Sequence, residues 1–478
     1  MIDRRTNVSA SCLSRAALAL LLPLSLAACG RGGSSGAETA APAATGKATV
    51  VKLQVFGDTA ELKSYRELIG AYEAAHPGEK VELLPVGKQA DHMAKLSTAF
   101  AAGNPPDLFI LNFRRFGQFA AKDVLLPLGP AMSASGQFKE EEFYAPAVEA
   151  FRYREQLMCL PQNVSSLVIY YNRALFKQYG VPEPQPGWTY FKDLIPAARL
   201  LTRDLDGDKR NDIHGVGLDP LLIRLAPFIW GMGGELVDDL QAPSTLTLDR
   251  GPALLGLNAV KLLISRYRVT PRLIEYQAEN NDARFARGAL GMLFQSRRYT
   301  ATLRELEGQG KGLDWDVAPL PRLQQEVGVL HADAYCMARA SRQPQAAQRF
   351  VAYALSEAGQ SILAKSGRTV PSRKTVAHSP AFLDPTQKPA HAQVFLDAIP
   401  TLRRTPNVAV WHEIESKADV LLEEWFYEPP LPGESDLEGA DTVLVARQIR
   451  DATRPLLAED LAREQARKAP PPAAGGAP

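Results

Sequence analysis

The sequence of 478 residues contains few of the groups that would point to an enzyme or to a charged partner. Its seven histidines are scattered without metal-ligand spacing, and it has no nucleophile elbow, complete phosphate loop or dinucleotide fingerprint. Its 54 basic residues nearly balance 53 acidic ones, which gives no bulk attraction for nucleic acid. We therefore expect a binding protein without cofactor, metal or catalytic residue. A pair of glycosidase-type carboxylates stays open, because such partners need not be close in sequence.

Beyond the N-terminus the sequence has no run of 18 apolar residues, so no membrane-spanning helix is predicted for its body. Residues 1–28 combine Arg4, Arg5 and Arg15 with a short apolar run, which is typical of a signal peptide. The run ends in small residues followed directly by Cys29, and this arrangement resembles the lipobox of bacterial lipoproteins. We expect a lipid anchor on Cys29 that holds the protein at the periplasmic face of a bacterial membrane. An ordinary cleaved signal is the alternative.

Two segments are too poor in apolar residues to fold. Residues 29–48, rich in Gly, Ser, Ala and Thr, are predicted to form a flexible tether, and residues 466–478 a disordered tail. Outside the signal region only Cys159 and Cys336 remain. An oxidising compartment permits a disulfide between them, whereas two buried free thiols are the alternative, and the sequence does not decide.

The length of the body implies at least two domains with separate cores. Near its start, an apolar strand at 50–56 precedes a helix whose face is formed by Leu62, Tyr65, Leu68, Ile69 and Tyr72. Further strands are predicted at 81–84, 108–111, 164–171, 289–294, 315–320 and 334–338. The strand–helix–strand order near the start predicts an α/β fold with a mostly parallel sheet that helices cover on both faces.

Several stretches resemble motifs of one family, and they occur in the order that the family has. They are AAGNPPDL at 101–108, LP at 160–161 with VIYYN at 168–172, FARGALGM at 285–292 and VAPLP at 317–321. Together they resemble the family 1 extracellular solute-binding proteins of ATP-driven sugar importers, the maltose-binding protein class. The resemblance covers about residues 50–460. Gly291 stands where that family usually has alanine.

The resemblance implies a two-lobed, type II periplasmic binding protein-like fold with discontinuous lobes joined by a hinge. The first lobe would comprise 49–162 and 332–402, and the second 163–331 and 403–465. A small carbohydrate would be enclosed between the lobes by hinge closure and delivered to the transmembrane subunits of an ABC permease. We expect a monomer that is not an enzyme. A secreted carbohydrate-active enzyme and a sensor-associated binding protein are the alternatives.

Three aromatic residues are candidates for stacking on a sugar ring. Trp230 and Trp411 stand where the resembling family often places aromatic residues in its cleft. Tyr171 alternates with buried residues near the expected crossing between lobes. For each of them, burial in a core is the alternative.

Four polar positions depart from the family pattern and are also expected in the cleft. Asn112 and Arg114 follow the strand at 108–111, and Arg298 and Tyr299 follow the strand at 289–294. Arginines at two strand ends that face one cleft would suit an anionic sugar or a glycerol-phosphate-like solute. The alternative is that these arginines face solvent or pair with local acids.

The loop at 204–212 carries four aspartates with spacing similar to that of a calcium loop. Lys209 occupies the place where such a loop usually needs glycine, and Arg210 adds a second positive charge. A solvated turn without metal is the favoured interpretation, and calcium is the alternative.

Overall fold

The computed structural model describes residues 49–428 and 440–468. The predicted signal peptide, the tether and Cys29 lie outside these residues. Helix α18 extends to Lys468, so residues 466–468 of the predicted disordered tail are helical. The rest of that tail, 469–478, lies outside the described residues.

The described strands are numbered in chain order. They are β1 Thr49–Phe56, β2 Glu79–Val86, β3 Leu108–Asn112, β4 Leu125–Leu126, β5 Arg152–Tyr153, β6 Gln156–Leu157, β7 Leu160–Pro161, β8 Leu167–Asn172, β9 His214–Gly217, β10 Leu290–Ser296, β11 Trp315–Ala318, β12 Gly328–Val329, β13 Asp333–Ala338 and β14 Leu402–Arg403.

The described α-helices are numbered in the same way. They are α1 Thr59–Ala75, α2 Gln89–Ala101, α3 Phe113–Ala120, α4 Leu128–Ala134, α5 Ala145–Glu149, α6 Arg173–Gln178, α7 Ile195–Leu201, α8 Leu222–Gly231, α9 Gly251–Ser265, α10 Leu273–Ala278, α11 Asn281–Ala286, α12 Tyr299–Gly308, α13 Pro344–Ala354, α14 Glu357–Lys365, α15 Lys374–Ala377, α16 Val394–Asp397, α17 Trp411–Tyr427 and α18 Ala440–Lys468. Among the described helices, none is both long and apolar enough to cross a membrane.

Two mixed sheets define two lobes. The sheet of the first lobe has the order β2-β1-β3-β13-β4, with β7 also paired to β13, and that of the second lobe has the order β11-β8-β10-β9. Strand β1 runs parallel to β2 and β3, but β13 is antiparallel to each of its neighbours. The expectation of a mostly parallel sheet is therefore wrong for β13. This strand returns from the second lobe and enters the first sheet from the opposite end.

Helix α1 shows how the sequence sets the local structure beside the later site. Asp58 caps the helix by accepting a hydrogen bond from the main-chain nitrogen of Glu61 at 3.0 Å. The predicted apolar face is confirmed, because Tyr65, Leu68, Ile69 and Tyr72 are buried against the first sheet. The helix ends before His76, and Gly78 with a φ of 93° turns the chain toward β2. The capped end places Glu61 at the edge of the sheet.

The alternation of side chains along β8 divides them between two cores. Leu167, Ile169 and Tyr171 belong to the core of the second lobe, whereas Val168 and Tyr170 belong to a core continuous with that of the first lobe. The C-terminal helices α17 and α18 complete the second core with residues such as Trp425 and Ile449. The core of each lobe therefore includes chain segments that are far apart in the sequence.

Two of the segments through which the chain passes between the lobes lie side by side. The main-chain nitrogen of Ser165 donates to the carbonyl of His331, and that of His331 donates back to Ser165, both at 2.8 Å. The nitrogen of Gln162 donates to the carbonyl of Asp333 at 2.8 Å. These bonds join the outgoing segment after β7 to the returning segment before β13. A third connection is made by β14, which pairs with β12.

Cys159 and Cys336 form a disulfide at the first-lobe end of the two crossing segments. Both cysteines are fully buried, and their Cα atoms are 4.5 Å apart. Of the two alternatives left open by the sequence, the structure has the bridge. The loop that it closes contains the inserted part of the second lobe.

A segment predicted to belong to the first lobe also contacts the second. Phe382 and Phe395 flank the buried guanidinium of Arg297, whose carbon lies 4.7 and 5.0 Å from their ring centroids. The ring of His391 lies 2.7 Å from the carboxylate of Asp316 on β11. Residues 382–395 therefore bridge the two halves, and the exact lobe boundaries stay a prediction.

Candidate functional site

A cavity of about 540 Å³ lies between the lobes and is lined by both of them and by the crossing segments. The residues that carry the following argument are, from the first lobe, Asp58, Glu61, Asn112, Arg114, Arg115 and Arg368; from the crossing segments and the start of β13, Asn163, Ser165, His331 and Asp333; and from the second lobe, Arg224, Asp282, Arg298, Tyr299 and Asp419. A ligand held here would touch groups that move with different lobes.

Four of the residues expected in the cleft line this cavity, namely Asn112, Arg114, Arg298 and Tyr299. Asn112 ends β3 and caps α3, where its side-chain oxygen accepts from the main-chain nitrogen of Arg114 at 3.3 Å. Tyr299 begins α12, and its hydroxyl donates to the carbonyl of Asp282. The ends of β3 and β10 therefore do meet across one cleft.

The three aromatic candidates lie outside the cavity lining, and their expected place is corrected. Trp230 is 2% exposed at the end of α8, with the guanidinium carbon of Arg403 4.9 Å from its ring centroid. Trp411 is fully buried and donates from Nε1 to Glu415 at 2.9 Å. Tyr171 is 2% exposed and donates to Glu183 at 3.1 Å. Each ring packs in the second lobe, so it cannot stack on a ligand in this cavity.

The sequence did not lead us to the polar residues of the crossing segments or to the acidic residues that line the cavity. Asn163, Ser165, His331 and Asp333 meet only because two segments far apart in sequence pair with each other. A signal was present, since the motif at 160–172 already indicated a crossing between lobes. Polar residues beside such a crossing would have been reasonable candidates.

Most arginines of the cavity have an acidic partner. Arg368 is buried and pairs with Asp58 and, from Nε at 2.7 Å, with Glu61. Arg114 lies 3.0 Å from Glu415, whose side chain is 2% exposed. These pairs neutralise the positive charge of both guanidinium groups locally.

Two arginines of the second lobe, Arg224 and Arg298, also have acidic residues nearby. Arg224 lies 3.4 Å from Asp219 and donates to the carbonyl of Phe294 at 2.9 Å. Arg298 reaches across the cleft, where its Nη2 is 3.9 Å from Oε2 of Glu61. Because Arg298 belongs to the second lobe and Glu61 to the first, this ion pair depends on the distance between the lobes.

Arg115 differs from the other arginines. Its Nη1 is buried without a hydrogen-bond partner in the part of the chain that the structure describes. Burial lowers its pKa to about 10, with nearby Glu415 opposing the shift. The group is still cationic at neutral pH, and Arg115 is one of the residues that line the cavity.

Burial also sets the protonation of other cavity groups. It raises the pKa of Asp419 to about 6, and it raises the pKa of Asp282 and of Glu61. Burial, together with the positive charges of Arg114 and Arg224, lowers the pKa of His331 to about 3. His331 is therefore a neutral hydrogen-bonding group at physiological pH.

Glu61 needs space beside the loop that precedes its helix. A Cβ atom at Gly57 would lie 2.2 Å from Oε2 of Glu61, so any side chain there would displace the carboxylate. Glycine at this position therefore allows Glu61 to meet both Arg368 and Arg298. Glycine is therefore needed at position 57 for the contacts of Glu61 in the site.

The aspartate loop is separate from the cavity. Asp204, Asp206 and Asp208 are exposed, and their carboxylates lie within 4.8 Å of one another. Both oxygens of Asp204 accept main-chain hydrogen bonds, from Gly207 at 2.7 Å and from Lys209 at 2.9 Å. These bonds stabilise a polar turn, and the choice between a solvated turn and a calcium site stays a prediction.

Comparison with known proteins agrees with the geometry. The family model "Bacterial extracellular solute-binding protein" matches residues 57–361. A galactooligosaccharide-binding protein of Bacillus subtilis is 21% identical over 418 residues, which are 85% of this chain and 90% of that protein. A binding protein of Brucella abortus is 24% identical over 393 residues, covering 80% of this chain and 89% of that protein.

The fold has clear structural neighbours. An ABC substrate-binding protein of Listeria monocytogenes, solved in complex with cycloalternan, superposes with a TM-score of 0.75 at 20% identity. The superposition covers 86% of this chain and 99% of that one. The two-lobed α/β architecture expected from the sequence is thus confirmed. With a family match over well more than half of its length, the chain belongs to the bacterial extracellular solute-binding proteins.

Proposed function

We propose that the protein captures a neutral oligosaccharide in the cavity between its lobes and delivers it to an ABC permease. The observation that carries this proposal is the cavity itself, which is lined from both lobes by hydrogen-bonding groups whose charges are mostly paired. Sugars present many hydroxyls and need such a lining of donors and acceptors. The Listeria neighbour bound to cycloalternan and the Bacillus galactooligosaccharide-binding protein support this ligand class.

The mechanism follows from the division of the lining between lobes. Contacts to both lobes are available together only when the lobes are close, so the ligand stabilises the closed state. The ion pair between Arg298 and Glu61 would strengthen on closure and exclude water from the cavity. The permease would then distinguish loaded from empty protein by its shape.

The anionic ligand suggested by the sequence has less support. It rested on Arg114 and Arg298, and Arg114 pairs with the buried Glu415 while Arg298 faces Glu61. An added carboxylate or phosphate would compete with acids that are already in place. Arg115 is the one lining arginine whose partner is not found among the described residues, so an anionic sugar is retained as an outcome of the test below.

A thermal-shift screen tests the proposal. Neutral saccharides, uronates and sugar phosphates would be added to the full chain, because a ligand that binds the folded state raises the melting temperature. We expect a neutral oligosaccharide to give the largest shift and to be recovered unchanged. The substitution Arg298→Ala should reduce that shift, whereas Arg339→Ala, an arginine outside the cavity lining, should not. A response to anionic sugars alone, or cleavage of the saccharide, would contradict the proposal.

The membrane attachment belongs to the same proposal. Acylation of Cys29 would hold the receptor close to the permease while the segment 29–48 lets it move. The small residues before Cys29 support this attachment. We expect the wild type, but not Cys29→Ala, to incorporate a labelled fatty acid in a bacterial host, with saccharide affinity unchanged. A wild-type protein that takes up no label would argue against lipidation.

A further inference from the structure

Asp333 occupies a special position on the cavity floor, which is formed by Asn163, Ser165, His331 and Asp333. It is the first residue of β13, directly after the segment that returns from the second lobe. Its carbonyl accepts from Gln162, and its main-chain nitrogen donates to the side-chain oxygen of Asn163 at 3.0 Å. The residue is thus tied to the outgoing crossing segment as well as to its own strand.

The carboxylate of Asp333 is held by two amides. Oδ1 accepts from Nδ2 of Asn112 at 3.0 Å, and Oδ2 accepts from Nδ2 of Asn163 at 3.1 Å. Within the described residues, the carboxylate forms no ion pair. This distinguishes it from Asp58 and Glu61, which both pair with Arg368.

The orientation of both amides is fixed by independent contacts. The oxygen of Asn163 accepts from the main-chain nitrogen of Asp333, so its nitrogen must face the carboxylate. The oxygen of Asn112 accepts from the main-chain nitrogen of Arg114, and its nitrogen also donates to the carbonyl of Ala332. Neither amide can flip without losing these bonds. The carboxylate therefore has a defined direction before any ligand arrives.

The remaining acceptor capacity of Asp333 points to a ligand that donates. A carboxylate has about four acceptor positions, and the two amides use about two of them. The half-buried side chain lines the cavity, so the remaining positions are available to a ligand there. Burial is the main cause of the raised pKa of Glu61, and the negative charge of Asp333 adds to it. A second anion placed beside this carboxylate would be repelled in the same way.

We propose that Asp333 is the specificity-determining anchor of the cavity and that it accepts hydrogen bonds from two adjacent hydroxyls of the saccharide. This inference rests on the proposed function. It assigns the ligand a ring with a free vicinal diol at the floor of the cavity. Uronates and sugar phosphates whose acidic group would lie beside the carboxylate of Asp333 are excluded as ligands.

The same contacts make Asp333 an anchor that acts before closure. Asn112 belongs to the first lobe and Asn163 to the crossing segment, so the geometry of the carboxylate does not depend on the second lobe. Arg298, in contrast, approaches the first lobe only when the lobes are close. Asp333 therefore contributes to capture, and Arg298 to retention.

The test compares Asp333→Asn with Asp123→Asn, a matched change at an exposed acid outside the cavity. Calorimetry with the neutral saccharide that gives the largest thermal shift should show a loss of about ten- to a hundredfold for Asp333→Asn, because a charge-assisted bond pair is removed. Asp123→Asn should stay within about twofold of the wild type. Stopped-flow measurements should show slower association for Asp333→Asn, but faster dissociation with unchanged association for Arg298→Ala.

Monodeoxy analogues of that saccharide provide a test that needs no variant. In the wild-type protein, removal of either of two adjacent hydroxyls should weaken binding at least about fivefold, and these two losses should be absent in Asp333→Asn. The inference would be overturned if no pair of adjacent hydroxyls could be found whose removal weakens binding to the wild type. It would also be overturned if a folded Asp333→Asn protein bound the saccharide with full affinity. Either result would leave the proposed function intact, because that proposal fails if the wild type binds no neutral saccharide or cleaves it.

Discussion

Removal of the disulfide between Cys159 and Cys336 should cost a large part of the stability of the protein. The perturbation is the double substitution Cys159→Ala and Cys336→Ala. The bridge joins residues separated by 177 positions, and the loop includes the inserted part of the second lobe. In the unfolded chain, such a bridge prevents the two ends of the insertion from moving apart.

The magnitude follows from the length of the closed loop. For residues 177 apart, the chain-entropy relation gives a loss of about 5 kcal/mol in the free energy of unfolding at 25 °C. Two buried sulfur atoms are also removed, which adds roughly 1 kcal/mol for each cavity. Residual structure in the unfolded chain reduces the total, so a loss of about 3–6 kcal/mol is expected.

Urea unfolding followed by circular dichroism measures this loss. The double variant should unfold at lower urea, and its m-value should rise because the unfolded chain can expand further. Wild-type protein unfolded in the presence of a reductant is the matched control, and it should lose a similar amount. A loss below about 1 kcal/mol in both samples, or free thiols at both positions in non-reducing peptide maps, would refute the reasoning.

Three further predictions concern the site and its surroundings. Arg114→Met removes the ion-pair partner of the buried Glu415, which then keeps the hydrogen bond from Trp411, and should lower the free energy of unfolding by about 2–4 kcal/mol in urea; a change below about 0.5 kcal/mol would mean that the pair contributes nothing. Burial raises the pKa of Asp419 to about 6, above the ordinary value of about 4 for an aspartate, so the folded state loses stability as pH rises through that interval. Asp419→Asn should therefore stabilise the protein relative to the wild type at pH 7.5 but not at pH 4, by at most about 3 kcal/mol, and equal effects at both pH values would contradict this. Trp230→Phe should change saccharide affinity less than about twofold in calorimetry, whereas a tenfold loss would restore its stacking role.

Much of the fold could be predicted because strand and helix periodicity is local. The strand expected at 334–338 is β13 at Asp333–Ala338, and the one expected at 108–111 is β3 at Leu108–Asn112. The returning direction of β13 was not predicted, since it depends on where the second lobe releases the chain. The disulfide was left open for the same reason, because its partners meet only through the pairing of β7 with β13.

The site was predicted in part, and the misses have a physical pattern. Asn112 and Arg298 were found because polar residues at the ends of strands commonly face a cleft. Trp230 and Trp411 were misplaced because aromatic residues bury well in a core, and sequence alone does not say which apolar surface they cover. Asp333 was missed because its role depends on two amides, one of them 221 positions away in the chain.

Small-angle X-ray scattering of the wild-type protein, with and without a saturating neutral oligosaccharide, tests the central claim most directly. If the saccharide binds between the lobes and draws them together, the radius of gyration should fall and the scattering at wide angles should change in the same titration. The account predicts this compaction with the stoichiometry of one saccharide per chain. A saturated protein whose scattering curve is identical to that of the free protein would contradict capture by closure.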